Sequence, residues 1–215
     1  MDFFNYVADN WGRITFLLLQ HVQVVLISVG LAAIVSVLIA LATEPLPKVR
    51  RAALSITGTI LTIPSFALFG LMIPLFGLGV APTVLALTVY AIFPILRNAV
   101  TGLETVDAGV VDAARGMGMS SGRRLWKISL PLAWPVILNG VRVATIMTVA
   151  IAAIGAAVQG PGLGELIFRG LARMGGANAL NEALSGVIAI VLVAAILDVL
   201  FLLIARITTP RGLNV

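Results

Sequence analysis

The chain alternates between long stretches without charge and short stretches crowded with it. No Asp, Glu, Lys or Arg occurs from position 14 to 43 or from 52 to 96. A helix needs about 20 apolar residues to cross the hydrocarbon core of a bilayer. The first gap therefore predicts one span, near 16–42. The second predicts two, near 54–76 and 83–103, divided at Gly77-Leu78-Gly79-Val80-Ala81-Pro82, a turn signal. A fourth span is predicted near 134–158, interrupted only by Arg142, and a fifth near 184–205, which contains Asp198. The expected fold class is all-α: a polytopic membrane protein of five transmembrane helices forming one domain over 1–215. A cytoplasmic loop (104–131) and an extracytoplasmic loop (159–183) interrupt the spans.

Composition agrees and narrows the classes. Of 215 residues 60% are hydrophobic and 11% charged, against about 25% charged in a soluble domain. A soluble enzyme and a disordered chain are both excluded. With no Cys and one His, the chain has no disulfide framework, thiol nucleophile or His-rich metal site. Asp2 and Asp9 stand where a signal peptide would carry basic residues, and the first apolar run is too long for one. Trp11, Trp126 and Trp134 fall at span ends, where indole rings favour the interface.

The net charge of +5 is distributed by side. On a five-span topology one side holds Lys48, Arg50, Arg51, Arg97, Arg115, Arg123, Arg124, Lys127, Arg206 and Arg211. The other holds Arg13, Arg169 and Arg173. The positive-inside rule puts the first set in the cytoplasm, the N-terminus outside and the C-terminus inside. This distribution argues against a nucleic-acid-binding face.

The segment 98–131 is the longest cytoplasmic stretch and reads as two short helices. Asp107 can cap the first, which ends at Gly116-Met117-Gly118; Ser120 or Ser121 can cap the second, and Pro131 follows its end. Within it stand Asp112-Ala113-Ala114, Gly118, Ile128 and Leu130-Pro131. This spacing resembles the cytoplasmic signature of ABC importer permeases, EAA-x3-G-x9-I-x-L-P, with Asp112 in place of Glu. In that family the loop forms a coupling helix that docks in a groove on the ATPase subunit. On that reading Ala113 and Ala114 permit close approach, Asp112 meets a basic group, and Gly118 sets the angle between the two short helices. The alternative is an amphipathic helix on the headgroups, with Arg123, Arg124 and Lys127 against anionic lipid.

The resemblance is narrower still. Ile63-Pro64-Ser65-Phe66-Ala67-Leu68-Phe69-Gly70, Pro94-Ile95-Leu96-Arg97-Asn98, Ala113-Ala114-Arg115-Gly116-Met117-Gly118-Met119 and Gly162-Leu163-Gly164-Glu165-Leu166-Ile167-Phe168 are similar to the glycine betaine/carnitine/choline branch. Gln159-Gly160-Pro161 departs from that branch's Gly-rich run. The resemblance implies a type I importer with a MetI-like fold in the inner (plasma) membrane. It implies an ATPase dimer carrying ATP and Mg2+, an extracytoplasmic substrate-binding protein and a second permease subunit. No phosphate-binding loop is present, so this chain is not expected to be an enzyme or to bind a cofactor. A permease for a different small solute and an ion-driven secondary transporter are the alternatives. The latter needs midplane carboxylates and usually a repeat; Asp198 is the only such carboxylate, and no repeat is visible.

Other candidates lie in the spans and the outer loop. Arg142 and Asp198 sit at similar inner depth, where an ion pair would relieve the cost of burying each. His21, near the outer end of the first span, reads as an interfacial hydrogen-bonding residue. Phe66, Phe69, Tyr90 and Phe93 could line a pathway for a quaternary ammonium solute through cation–π contacts, or simply pack. Gly140 and Ala144 form a small-xxx-small pair suited to close helix packing. Glu165, Arg169 and Arg173 recur every four residues, opposite Leu166, Ile167 and Leu171, and could face a binding protein or merely connect two spans.

Overall fold

The computed structural model describes residues 2–209, and these are helical almost throughout. Arg211, counted above among the inner basic residues, lies outside them. A short helix α1 (Phe3–Asp9) precedes α2 (Trp11–Thr43). Next come α3 (Pro47–Leu61), α4 (Ser65–Phe76), α5 (Val80–Glu104), the loop helices α6 (Ala108–Gly116) and α7 (Ser121–Arg124), and α8 (Leu130–Ala152). The chain closes with α9 (Gly164–Ala172) and α10 (Ala179–Thr208). Helix α2, helix α5, the continuous helical run from Ser121 to Val158 and helix α10 are each long and apolar enough to cross a membrane.

The expected second span is broken. α3 and α4 meet at 98°, and only if the pair is counted as one span does the number reach five. Pro64 lacks the N–H that would continue the helix, so the ladder stops at Thr62 and Ile63. A carbonyl freed inside an apolar bundle is costly unless something donates to it. Tyr90, buried on α5, donates its hydroxyl to the Ile63 carbonyl at 2.6 Å.

The bundle core forms where α2, α5, α8 and α10 face one another, around Val25, Phe69, Leu87, Ile95 and Val149, all fully buried. The α5–α8 seam uses the small pair seen in the sequence. A Cβ on Gly140 would stand 2.5 Å from the Cβ of Asn98 and 3.1 Å from the Pro94 carbonyl, and Ala144 is fully buried. Nothing larger than hydrogen lets these backbones approach so closely. Buried hydroxyls donate to carbonyls: Ser36 to Ile92 ties α2 to α5 (3.0 Å), and Thr148 is satisfied within α8 by Ala144 (2.6 Å). The expected pairing of Arg142 with Asp198 is present and bidentate, Nε to Oδ1 at 2.6 Å and Nη2 to Oδ2 at 2.9 Å, joining α8 to α10.

Two expectations need correction. His21 is not interfacial: its ring is fully buried, and Nε2–H donates to the Val149 carbonyl at 3.0 Å. The segment between α8 and α9 folds over it; a Cβ on Gly162 would lie 2.8 Å from Nδ1. The second loop helix also does not end before Pro131. It continues into α8 through a π turn, Leu125–Ser129, in which the N–H of Leu130 reaches back to Leu125. The wider turn makes room for a proline ring that an α turn would drive into the preceding carbonyl.

Candidate functional site

One end of the bundle presents the signature loop. Asp107 caps α6 by accepting the Val110 N–H at 3.0 Å. The helix ends in a paired-bond reversal: the N–H of Met119 reaches the Ala114 carbonyl (3.1 Å), and the N–H of Gly118 reaches Arg115 (3.0 Å). Gly118 holds φ +79° there, in open space. The glycine is therefore needed for its backbone conformation, not for clearance, since a Cβ in that region clashes with its own carbonyl. Ser120 takes the N-cap position of α7 by its backbone, but its hydroxyl makes no cap bond.

The two alanines of the signature face opposite ways. Ala114 is buried within the chain, whereas Ala113 and Asp112 are exposed. Ala114 therefore cannot be the close-approach surface expected of it; it seats α6 on its own subunit. The face turned outward carries Val110, Ala113 and Met117, at i, i+3 and i+7 of one helical side. Val110 is 42% exposed and Met117 72%. The sequence reading missed both apolar residues; their spacing around Ala113 was the available signal. Ile128 and Leu130 are half-buried at the π turn, and Pro131 is exposed beside them. At the base of the loop Arg50 of α3 pairs with Glu104 at the end of α5 (2.9 Å).

The other end has a different character. Arg13 of α2 bridges Glu165 of α9 and Glu182 of α10, each at 3.0 Å. Arg169 adds contacts to Glu165 (3.1 Å) and Glu182 (3.6 Å); Arg173, past the helix end and well exposed, reaches Glu182 only at 4.0 Å. Glu182 is buried beneath them. Glu165 and Arg169 are thus engaged inside the subunit, with partners from α2 and α10. Helix α1 packs nearby, and burial, followed by the charge of Glu182, pushes the Tyr6 hydroxyl above its usual range.

The aromatic candidates separate. Phe69 is sealed in the core, and Tyr90 is committed to the broken helix. Phe66 is exposed, and Phe93 borders an open cleft between α3 and α5. Among the described residues no group of His, Asp or Glu could hold a metal ion.

Comparison with known proteins places this geometry. Residues 29–212 match the family described as binding-protein-dependent transport system inner membrane component. The osmoprotectant import permease protein OsmW of Salmonella typhimurium is 37% identical over the full length of both chains. The glycine betaine/carnitine/choline transport system permease protein OpuCB of Bacillus subtilis is 31% identical, over 97% of this chain and 94% of that one. In fold, an inward-facing structure of the MetNI methionine ABC transporter superposes with a TM-score of 0.81 at 23% identity, covering 92% of this chain and 96% of that one. This all-helical chain, carrying the signature on an exposed loop, belongs to the family of binding-protein-dependent transport system inner membrane components.

Proposed function

We propose that this chain is the membrane-spanning permease of an ABC importer that moves a quaternary ammonium osmoprotectant of the glycine betaine, choline or carnitine class into the cytoplasm. ATP, with Mg2+, is hydrolysed on a separate subunit pair that receives α6. A binding protein delivers solute at the end bearing α9, and a second permease chain, a copy or a paralogue, completes the passage. The N-terminus is then outside and the C-terminus inside, because the loop that meets the motor is on the basic side.

The observation that carries this reading is the signature itself. Its residues fall on the capped helix α6, on the Gly118 reversal that ends it, and on the π turn and first residues of α8 that follow α7. A push on α6 would pass through the Gly118 reversal to α7 and from there into α8, since the helical run from Ser121 to Val158 is unbroken. Full-length relatives named as osmoprotectant and glycine betaine/carnitine/choline permeases support the solute class. The test is uptake into proteoliposomes carrying the permease, its ATPase and its binding protein. ATP-dependent accumulation of glycine betaine, choline or carnitine is expected. Uptake of none of the three, or uptake that proceeds without ATP, would contradict the proposal.

A further inference from the structure

Helix α3 buries none of its residues, although it is half of a bent apolar pair. One side of it carries Lys48, Arg51, Ser55, Thr59 and Thr62, at i, i+3, i+7, i+11 and i+14, all exposed. Such a stripe is poorly suited to lipid and needs water or protein against it. Alongside, Phe93 and Arg97 stand one turn apart on α5, and with Ser55, Thr59 and Thr62 they border a cleft of about 430 Å³. Gly58 seats the aromatic ring: a Cβ there would be 3.0 Å from the ring edge of Phe93. Among the described residues no carboxylate lines the cleft, and Arg97 has no acidic partner.

We infer that this cleft is a solute-recognition surface of the passage, and that it favours solutes pairing a quaternary ammonium with a carboxylate over solutes that are simple cations. The inference rests on the proposed importer function. The chemistry is a two-point match. An aromatic ring attracts the onium group. A guanidinium one helical turn away binds the carboxylate through a forked pair of N–H bonds. The hydroxyls of α3 offer acceptor lone pairs and a wet surface between the two. A lone cation meets Arg97 with no carboxylate in the lining to offset it, whereas a zwitterion brings its own counter-charge.

The chain contains no cysteine, so single thiols can be placed on the stripe without background. Thr59→Cys and, independently, Ser55→Cys are made in the reconstituted importer. Each is labelled with a sulfonate-bearing or a trimethylammonium-bearing methanethiosulfonate, with rates normalised to a free thiol. The sulfonate reagent is expected to react at least about tenfold faster, because a cleft lined by one sign of charge concentrates the opposite sign. Adding Arg97→Gln should lower that ratio, and Arg97→Lys should keep it. Glycine betaine should slow labelling, and choline at the same concentration should not. Equal rates for the two reagents, no labelling at either position, or equal protection by choline would overturn the inference. These readouts are separate from ATP-driven uptake by the unlabelled wild type, so an importer that carries glycine betaine but fails them would lose the site and keep its function.

Discussion

The two ends of this bundle spend their polar groups in opposite ways. At one end Arg13, Glu165, Arg169 and Glu182 satisfy one another across three helices, with α2 far in sequence from α9 and α10. At the end bearing the signature α6 is secured by one cap, one glycine reversal and one buried alanine, and it leaves Val110, Ala113 and Met117 uncovered. A closed end gains rigidity from within the subunit. An open end has binding energy left for another molecule, since apolar surface outside the membrane is favourable to bury. A permease that converts events on a separate subunit into motion of its own helices needs this asymmetry.

Substitutions can break the contrast, beginning with the largest effect. Ala114→Asp puts a carboxylate into a buried site and should cost about 3 kcal/mol or more locally. Rapid limited proteolysis within 104–131 is the expected sign. Glu182→Ala removes the buried acid that gathers Arg13 and Arg169; with Glu165 still in place, the loss should be about 2 kcal/mol, read as a lowered melting temperature of the purified subunit. Gly118→Ala keeps every contact but forces a Cβ into the left-handed region, for about 1 kcal/mol, seen as faster hydrogen exchange at the end of α6. Arg173→Ala, at an exposed 4.0 Å contact, should change stability by less than about 0.5 kcal/mol. A large loss there would show the outer network extending further than its geometry indicates.

Legibility in the sequence followed the range of the interaction. Helices α2 and α5 were readable because charge-free gaps of that length have few other uses, and α8 and α10 because a long apolar run in each is interrupted by a single charge, Arg142 or Asp198. The Arg142–Asp198 pair was readable from depth alone, because two isolated charges in a bundle must find partners. The 98° bend was not, because 54–76 holds no charge to mark a break and a proline in a membrane helix can kink it or break it. Which happens depends on whether Tyr90 is there to serve the Ile63 carbonyl. Glu165 and Arg169 were legible as a helical pair, but Arg13 and Glu182, which fix their role, come from other helices. The signature located the loop, yet adjacent alanines cannot announce which one points inward. The contact between α6 and α7 decides that.

On the proposed function the outward face of α6 docks the motor, and Ala113→Asp tests this most directly. The residue is exposed, so the variant should fold with an unchanged melting temperature. Co-purification of the ATPase subunit with the wild-type permease, and its loss with Ala113→Asp, is the predicted result. Full retention of the ATPase by a well-folded Ala113→Asp variant would contradict the account.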